Sequence, residues 1–204
     1  MKGWYFSRES KRLRYGDERL IEVGTTHQVE GEPVLCQHGL HASKRLIDAL
    51  RYAPGCTLWR VKLSKNVVCG DDKAVALKRR YLEEYDARPM LVEFTQWCAK
   101  RARKQADAND VNDADYAIYT AAAAYAAYAA YAAAADAADA ADAAAYAAAY
   151  TDAATTAATT AAAYAAAYTD AYDAAYDAER KKQNKRLVKL VRKLNQSTIE
   201  GEPE

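Results

Sequence analysis

The chain has 204 residues, with 29 Lys and Arg against 28 Asp and Glu, which gives a net charge of +1 at neutral pH. The first ten residues are charged and Asp interrupts the apolar C-terminal half every few residues, so the sequence predicts neither a signal peptide nor a transmembrane span. Four irregularly spaced cysteines do not fit a small disulfide scaffold, and we expect a soluble, cytoplasmic protein with reduced thiols.

Charge and composition divide the chain into three parts. Residues 1–104 carry a net charge of +8, residues 105–179 carry −12, and residues 180–204 carry +5. Seven of the eight Gly lie in the first part, whereas Ala supplies 40 of the 75 residues of the second. We therefore predict an α+β protein: a small α+β domain over 1–104, an Ala/Tyr/Asp-rich helical region over 105–195 that ends in a basic amphipathic helix, and a disordered tail over 196–204.

Several short runs of the first part have the composition or alternation of strands. Those bounded by Gly are Trp4–Phe6, Ile21–Val23 and Thr25–Val29, and Thr57–Leu63 alternates polar and apolar residues with period two. His27, in the third run, is expected to be a partly exposed strand residue.

Two helices are predicted in the same part. Ser43 is expected to cap a helix that Pro54 and Gly55 stop, and helical spacing of apolar residues predicts a second helix from about Arg88 to about Gln105. The run Ala74–Leu82 fits a strand or a helix, since its periodicity favours neither.

One cysteine and two histidines lie within six residues, at Cys36, His38 and His41. They could bind a ligand, or a metal with Cys56 or Cys69 as a fourth donor, but the spacing matches no strong zinc pattern. We predict instead a Gly-containing turn in which His41 hydrogen-bonds to the backbone, and we expect no cofactor. The chain contains no phosphate loop, HExxH, GxSxG or paired-carboxylate motif, so we expect no catalytic residue and a protein that is not an enzyme.

Basic residues form two further clusters in the first part. Arg12 and Arg14 belong to one, Arg79 and Arg80 to the other, and all four are candidates for contacts with phosphate. The alternative is that this positive charge faces the chain's own acidic segment.

The segment between Met90 and Glu200 contains neither Gly nor Pro, so its Ala-rich sequence predicts helix throughout. Two arrangements remain open: a hairpin or bundle, or a single rod over 106–194 that would exceed about 130 Å. Within this segment a Tyr-rich motif returns after 18 residues, which is five helical turns. One face then carries Tyr146, Tyr150, Tyr164, Tyr168 and Tyr172, and the opposite face carries Asp152, Asp170, Asp173 and Asp177.

This Tyr stripe is either a binding surface or a surface that packs within the chain. The acidic residues could imitate DNA, but poorly, because they provide one charge per about 9 Å of helix against one per about 1.7 Å in the duplex. The basic C-terminal helix, 181–194, has a narrow apolar face that is expected to dock on the protein itself, with nucleic acid or a membrane surface as alternatives.

Three stretches carry a resemblance to a known family. Cys36–Ser43, Pro89–Ala99 and Gln183–Leu187, with Ala runs punctuated by an aromatic residue or Asp, resemble uncharacterised phage and prophage proteins that have a small N-terminal domain and a variable alanine-rich tail. The resemblance implies phage association and carries over no activity.

The leading hypothesis is therefore a non-enzymatic, phage-encoded protein that binds a host or phage macromolecule in the host cytoplasm, with counter-defence inhibition as a candidate role. We expect a protein partner and no binding to membranes. Self-association through the helical arm is a further candidate interaction. The alternatives are a small nucleotide-binding or enzymatic N-terminal domain with a helical oligomerisation arm, and nucleic-acid binding or acidic DNA mimicry.

Overall fold

The computed structural model describes residues 1–108 and 170–199, and the chain divides into two compact units, Met1–Arg88 and Pro89–Glu204. The first unit is an antiparallel α+β domain, as its sequence predicts. Its elements are β1 (Lys2–Ser7), β2 (Thr26–Gln28), β3 (Leu40–Ala42), α1 (Leu46–Leu50), β4 (Thr57–Ser64), β5 (Val68–Cys69), β6 (Ala74–Ala76) and β7 (Lys78–Asp86). The helix predicted to begin at Arg88 is present but belongs largely to the second unit.

A four-stranded sheet with the order β1-β4-β7-β2 forms the centre of the first unit. Strand β4 pairs with β1 on one side and β7 on the other, both antiparallel. Its alternation of polar and apolar residues explains this position, since Val61 and Leu63 are buried while Lys62 between them is exposed. The period-two prediction for this strand is confirmed.

A second, three-stranded sheet has the order β3-β6-β5. Alanines line one side of the pairing between its first two strands, because Ala74 lies opposite Ala42 and Ala76 lies opposite Leu40. Both sheets contribute to one core, whose buried members are Leu13, Ile21, Leu40, Ala42, Trp59, Val61, Leu63, Ala74, Ala76 and Tyr81.

The predicted strand Ile21–Val23 is wrong. Ile21 is fully buried, but it enters the core from an irregular segment in which its N–H donates to the carbonyl of Lys11. The chain then turns at Val23 and Gly24 before β2 begins. Burial of one large apolar side chain therefore accounts for the β-like composition of this run.

Ser43 does not cap a helix. Its N–H and carbonyl both hydrogen-bond to Trp4, which links the end of β3 to β1, and the helix begins only at Leu46 with Arg45 at the cap position.

The run Ala74–Leu82, for which the sequence favours neither a strand nor a helix, forms two strands separated at Leu77. Leu77 breaks the ladder because its N–H donates to Lys65 and its carbonyl accepts from Val29.

The described part of the second unit consists of two helices, α2 (Arg88–Ala108) and α3 (Asp170–Ile199). Arg101 donates two hydrogen bonds to Glu179, at 3.0 and 2.7 Å, and Arg186 donates to Glu93 at 2.8 Å. An early residue of α2 thus contacts a late residue of α3, and a late one contacts an early one, so the two helices run antiparallel. Helices α2 and α3 are therefore not two stretches of one straight rod, while residues 109–169, over which the rod or hairpin is predicted, lie outside the described residues.

Candidate functional site

The Cys36, His38 and His41 cluster lies on a tight turn that leads into β3. The N–H of Val34 donates to the carbonyl of His38 at 2.8 Å, and Cys36 adopts a φ of +65° within this turn. Gly39 has a φ of +114°, and a Cβ there would lie 2.6 Å from a methyl group of Val75. The turn therefore requires glycine at this position both for its backbone conformation and for space.

The imidazoles of this turn are engaged with the backbone. The N–H of Cys36 donates to Nε2 of His41 at 3.1 Å, which is the kind of backbone bond that the sequence predicts for His41. His41 also hydrogen-bonds to the backbone of Gly39, and burial, together with Lys73 and Arg79 nearby, lowers its pKa below 6.5. Nε2 of His38 lies 2.6 Å from the carbonyl of Glu30 and so donates to it.

These bonds determine what the turn can do chemically. His41 uses Nε2 as an acceptor and His38 uses Nε2 as a donor, so neither presents that nitrogen to a metal shared with Cys36. Among residues 1–108 and 170–199, no three His, Cys, Asp or Glu side chains come together as a potential metal site. Through these bonds the two imidazoles hold the shape of the loop.

A polar cluster next to this turn was not evident in the sequence. Lys73 hydrogen-bonds to the side chain of Cys36 and to Tyr52, and these bonds raise the pKa of the lysine. The ammonium lies 4.2 Å from the centre of the Tyr52 ring, whose hydroxyl donates to Asp72. Cys36 and Lys73 are 37 positions apart, and the antiparallel pairing of β3 and β6 brings their loops together, while Tyr52 comes from the turn after α1.

The four cysteines differ in burial. Cys56 and Cys98 are buried, and desolvation raises the pKa of each thiol to about 12, so both are held as neutral thiols. Cys36 and Cys69 are exposed, and none of the four cysteines forms a disulfide.

Arg79, one of the candidate phosphate contacts, lies in the protein interior. Its side chain is 2% exposed, and its guanidinium stacks 3.7 Å above the centre of the Tyr5 ring. It donates to the Tyr81 hydroxyl at 2.9 Å and to the carbonyl of His41 at 2.6 Å. The guanidinium therefore links the first sheet to the turn that carries the histidines.

His27 joins the same interior cluster, so the expected partial exposure is wrong. The residue lies in β2 but is buried, and its Nδ1 is 3.1 Å from the Tyr81 hydroxyl. Burial, with Arg19 and Arg79 nearby, lowers the pKa of His27 below 6.5. Because β2 pairs with β7, His27 lies opposite Arg79, and the buried arginine favours a neutral imidazole.

The other three candidate phosphate contacts are at the surface. Arg80 is exposed on the strand next to Arg79, as expected from the alternation of β7. Arg12 donates to the carbonyl of Glu18 at 2.6 Å, and the Arg14 guanidinium lies over the ring of Tyr15. Arg12 and Arg14 lie on one irregular segment and Arg80 lies on β7, and each keeps exposed surface.

Of the Tyr stripe, Tyr172 lies in α3, whereas Tyr146, Tyr150, Tyr164 and Tyr168 lie outside the described residues. No helix within 1–108 or 170–199 is both long and apolar enough to cross a membrane. Compared with known proteins, the chain matches no protein-family model, no curated protein and no solved structure.

Proposed function

We propose that this chain is a non-enzymatic, phage-encoded binding protein that engages a host or phage protein in the host cytoplasm, with inhibition of host defence as its role. Binding is assigned to the Tyr stripe of the Ala-rich segment. The protein uses no cofactor in this role.

The antiparallel pairing of α2 with α3 is the observation that carries the proposal. Residues 108 and 170 lie toward the same end of this helix pair, because Arg101 contacts Glu179 and Glu93 contacts Arg186. Both ends of segment 109–169 are therefore anchored at one place. That segment contains nine Tyr and neither Lys nor Arg, a composition suited to contact and poor in structural ion pairs.

Tyrosine is well suited to a binding role for physical reasons. Each ring can bury a large area with few rotamers to order, and its hydroxyl can still bond to water or to a partner. Solvated Asp contributes less, since exposed charges interact weakly and salt screens them. The aromatic face is therefore expected to dominate any binding free energy.

A pair of double variants tests this assignment. Full-length wild type, Y150A/Y168A and D152N/D170N would each be immobilised and exposed to a bacterial host lysate at low and moderate salt. We expect Y150A/Y168A to lose the partner that wild type retains, while helicity by circular dichroism is kept because Ala is the better helix former. D152N/D170N should retain that partner at both salt concentrations.

The opposite pattern would contradict the proposal. A greater loss from D152N/D170N, growing at low salt, would favour acidic mimicry over aromatic contact. The mass of each variant by light scattering shows in addition whether the Tyr stripe supports self-association.

A further inference from the structure

Helix α3 has two opposed faces in the part where its side chains are described. At about 100° per residue, its buried residues fall within an arc of about 120°. They are Glu179, Arg180, Gln183, Leu187, Leu190 and Val191. On the opposite side, within about 80°, lie four exposed cations, Lys181, Lys185, Lys189 and Arg192, which we call the basic stripe.

Two carboxylates at α3 pair with cations outside the basic stripe, and Asp177 is exposed one helical turn before Lys181. Glu179 pairs with Arg101 and with Lys182, whose ammonium lies 3.7 Å away. Glu93 pairs with Arg186 at 2.8 Å and with Lys193 at 3.4 Å. In the described ranges, 1–108 and 170–199, the basic stripe makes no ion pair. Its four charges therefore remain available to an outside anion.

We propose that the basic stripe binds the phosphate backbone of duplex DNA. Its charges follow a nearly straight line at axial steps of about 6, 6 and 4.5 Å, over about 16 Å in total. Duplex DNA presents one negative charge per about 1.7 Å of its axis, and its major groove, about 12 Å wide, admits a helix. This site lies outside the Tyr stripe, so the inference goes beyond the proposed function and does not rest on it.

Two other anionic surfaces fit less well. A membrane-surface helix must insert an apolar face between lipids, but Leu187, Leu190 and Val191 are already buried in the protein. The chain's own acidic segment offers one carboxylate per about 9 Å if helical, a far lower density than DNA. Of these anionic surfaces, duplex DNA therefore matches the basic stripe best.

Binding of a fluorescein-labelled 20-base-pair duplex, followed by anisotropy between 50 and 200 mM KCl, tests this site. The stripe variant is K181Q/K185Q/K189Q/R192Q in the full chain. Four phosphate contacts predict that the slope of log Kd against log salt falls by about 3 to 4 in this variant, since each contact contributes about 0.9. We expect the affinity at 50 mM KCl to fall at least about tenfold.

The matched control is K2Q/K44Q/K62Q/K65Q, which removes the same charge from four exposed residues of the first unit that are not candidate phosphate contacts. The affinity of this control for DNA should change by less than about threefold, because salt screens charges that lie away from the bound DNA. The Y150A/Y168A variant should bind DNA as wild type does, which separates this proposal from the Tyr-stripe proposal.

Several results would overturn the DNA assignment. They are the absence of DNA binding by wild type, equal losses in the stripe and control variants, and a stripe variant that keeps its DNA affinity. In the last case, selective loss of binding to anionic lipid vesicles would reassign the stripe to a membrane surface.

Discussion

The structure gives Arg79 a different role from the phosphate contact that the sequence suggests. Its neighbours Lys78 and Arg80 suggest a basic patch, yet alternation along β7 turns Arg79 inward while Arg80 stays exposed. The buried charge is stabilised by the Tyr5 ring, the Tyr81 hydroxyl and the His41 carbonyl. It therefore contributes to the fold of the first unit.

Replacement of Arg79 by Met should accordingly destabilise the first unit. Loss of charge-assisted hydrogen bonds and a desolvated cation–π contact is expected to cost about 2 to 4 kcal/mol of unfolding free energy. R80M is the control and should change stability by less than about 0.5 kcal/mol, as is usual for an exposed position. Urea denaturation measures both, and equal losses would contradict the structural role of Arg79.

The buried histidines predict a pH dependence of stability. The pKa values of His27 and His41 are lowered from 6.5, mainly by burial. As the pH falls towards 6.5, the histidines of the unfolded chain bind protons first, while both rings of the folded protein are still neutral. Their contribution to stability is complete above about pH 6.5 and is lost as pH falls through the lowered values. The free energy of unfolding should therefore decrease between pH 7 and pH 5.

The variant H27Q/H41Q removes both groups and should flatten that decrease. Urea denaturation at pH 7, 6 and 5 compares it with wild type, each relative to its own stability at pH 7. An unchanged slope in the variant would show that other groups cause the pH dependence.

At the scale of elements, the sequence predicts the regular strands better than the irregular segments. Thr57–Leu63 is found where alternation places it, because a half-buried strand needs period two. Ile21–Val23 and the cap at Ser43 fail because tertiary contacts, to Lys11 and to Trp4, determine those backbones. The Cys36–Lys73–Tyr52 cluster was equally beyond prediction, since it depends on strand register.

The ion pairs between α2 and α3 should differ in strength. The Glu179 side chain is 7% exposed and accepts two hydrogen bonds from Arg101, whereas Glu93 is 41% exposed. E179Q should cost several times more than E93Q, roughly 2 to 4 kcal/mol against less than about 1, because it leaves Arg101 without its counter-charge at a position where the carboxylate is buried, whereas Glu93 is partly solvated. Thermal unfolding followed by circular dichroism tests this order, and equal effects would contradict it.

At the scale of the whole molecule, composition locates the change from an α+β domain to a helical region but does not determine the path of the chain. The Ala-rich sequence and its charge order suit a rod as well as a hairpin. Only the side-chain pairs between α2 and α3 show that these two helices run antiparallel, and in the sequence their residues look like ordinary surface charges. Anchoring of both ends of segment 109–169 is the central claim, because the binding role of the Tyr stripe is built on it.

A distance between spin labels at Gln96 and Lys185, both exposed, tests that claim most directly. The labels would be attached to Q96C/K185C in a full chain whose exposed Cys36 and Cys69 are replaced by Ser. Paired helices lie about 8 to 10 Å apart, so with the label arms the measured distance should be about 20 to 30 Å. A continuous helix would separate the labels by more than about 130 Å, and a distribution without a component below about 40 Å would contradict the antiparallel pair.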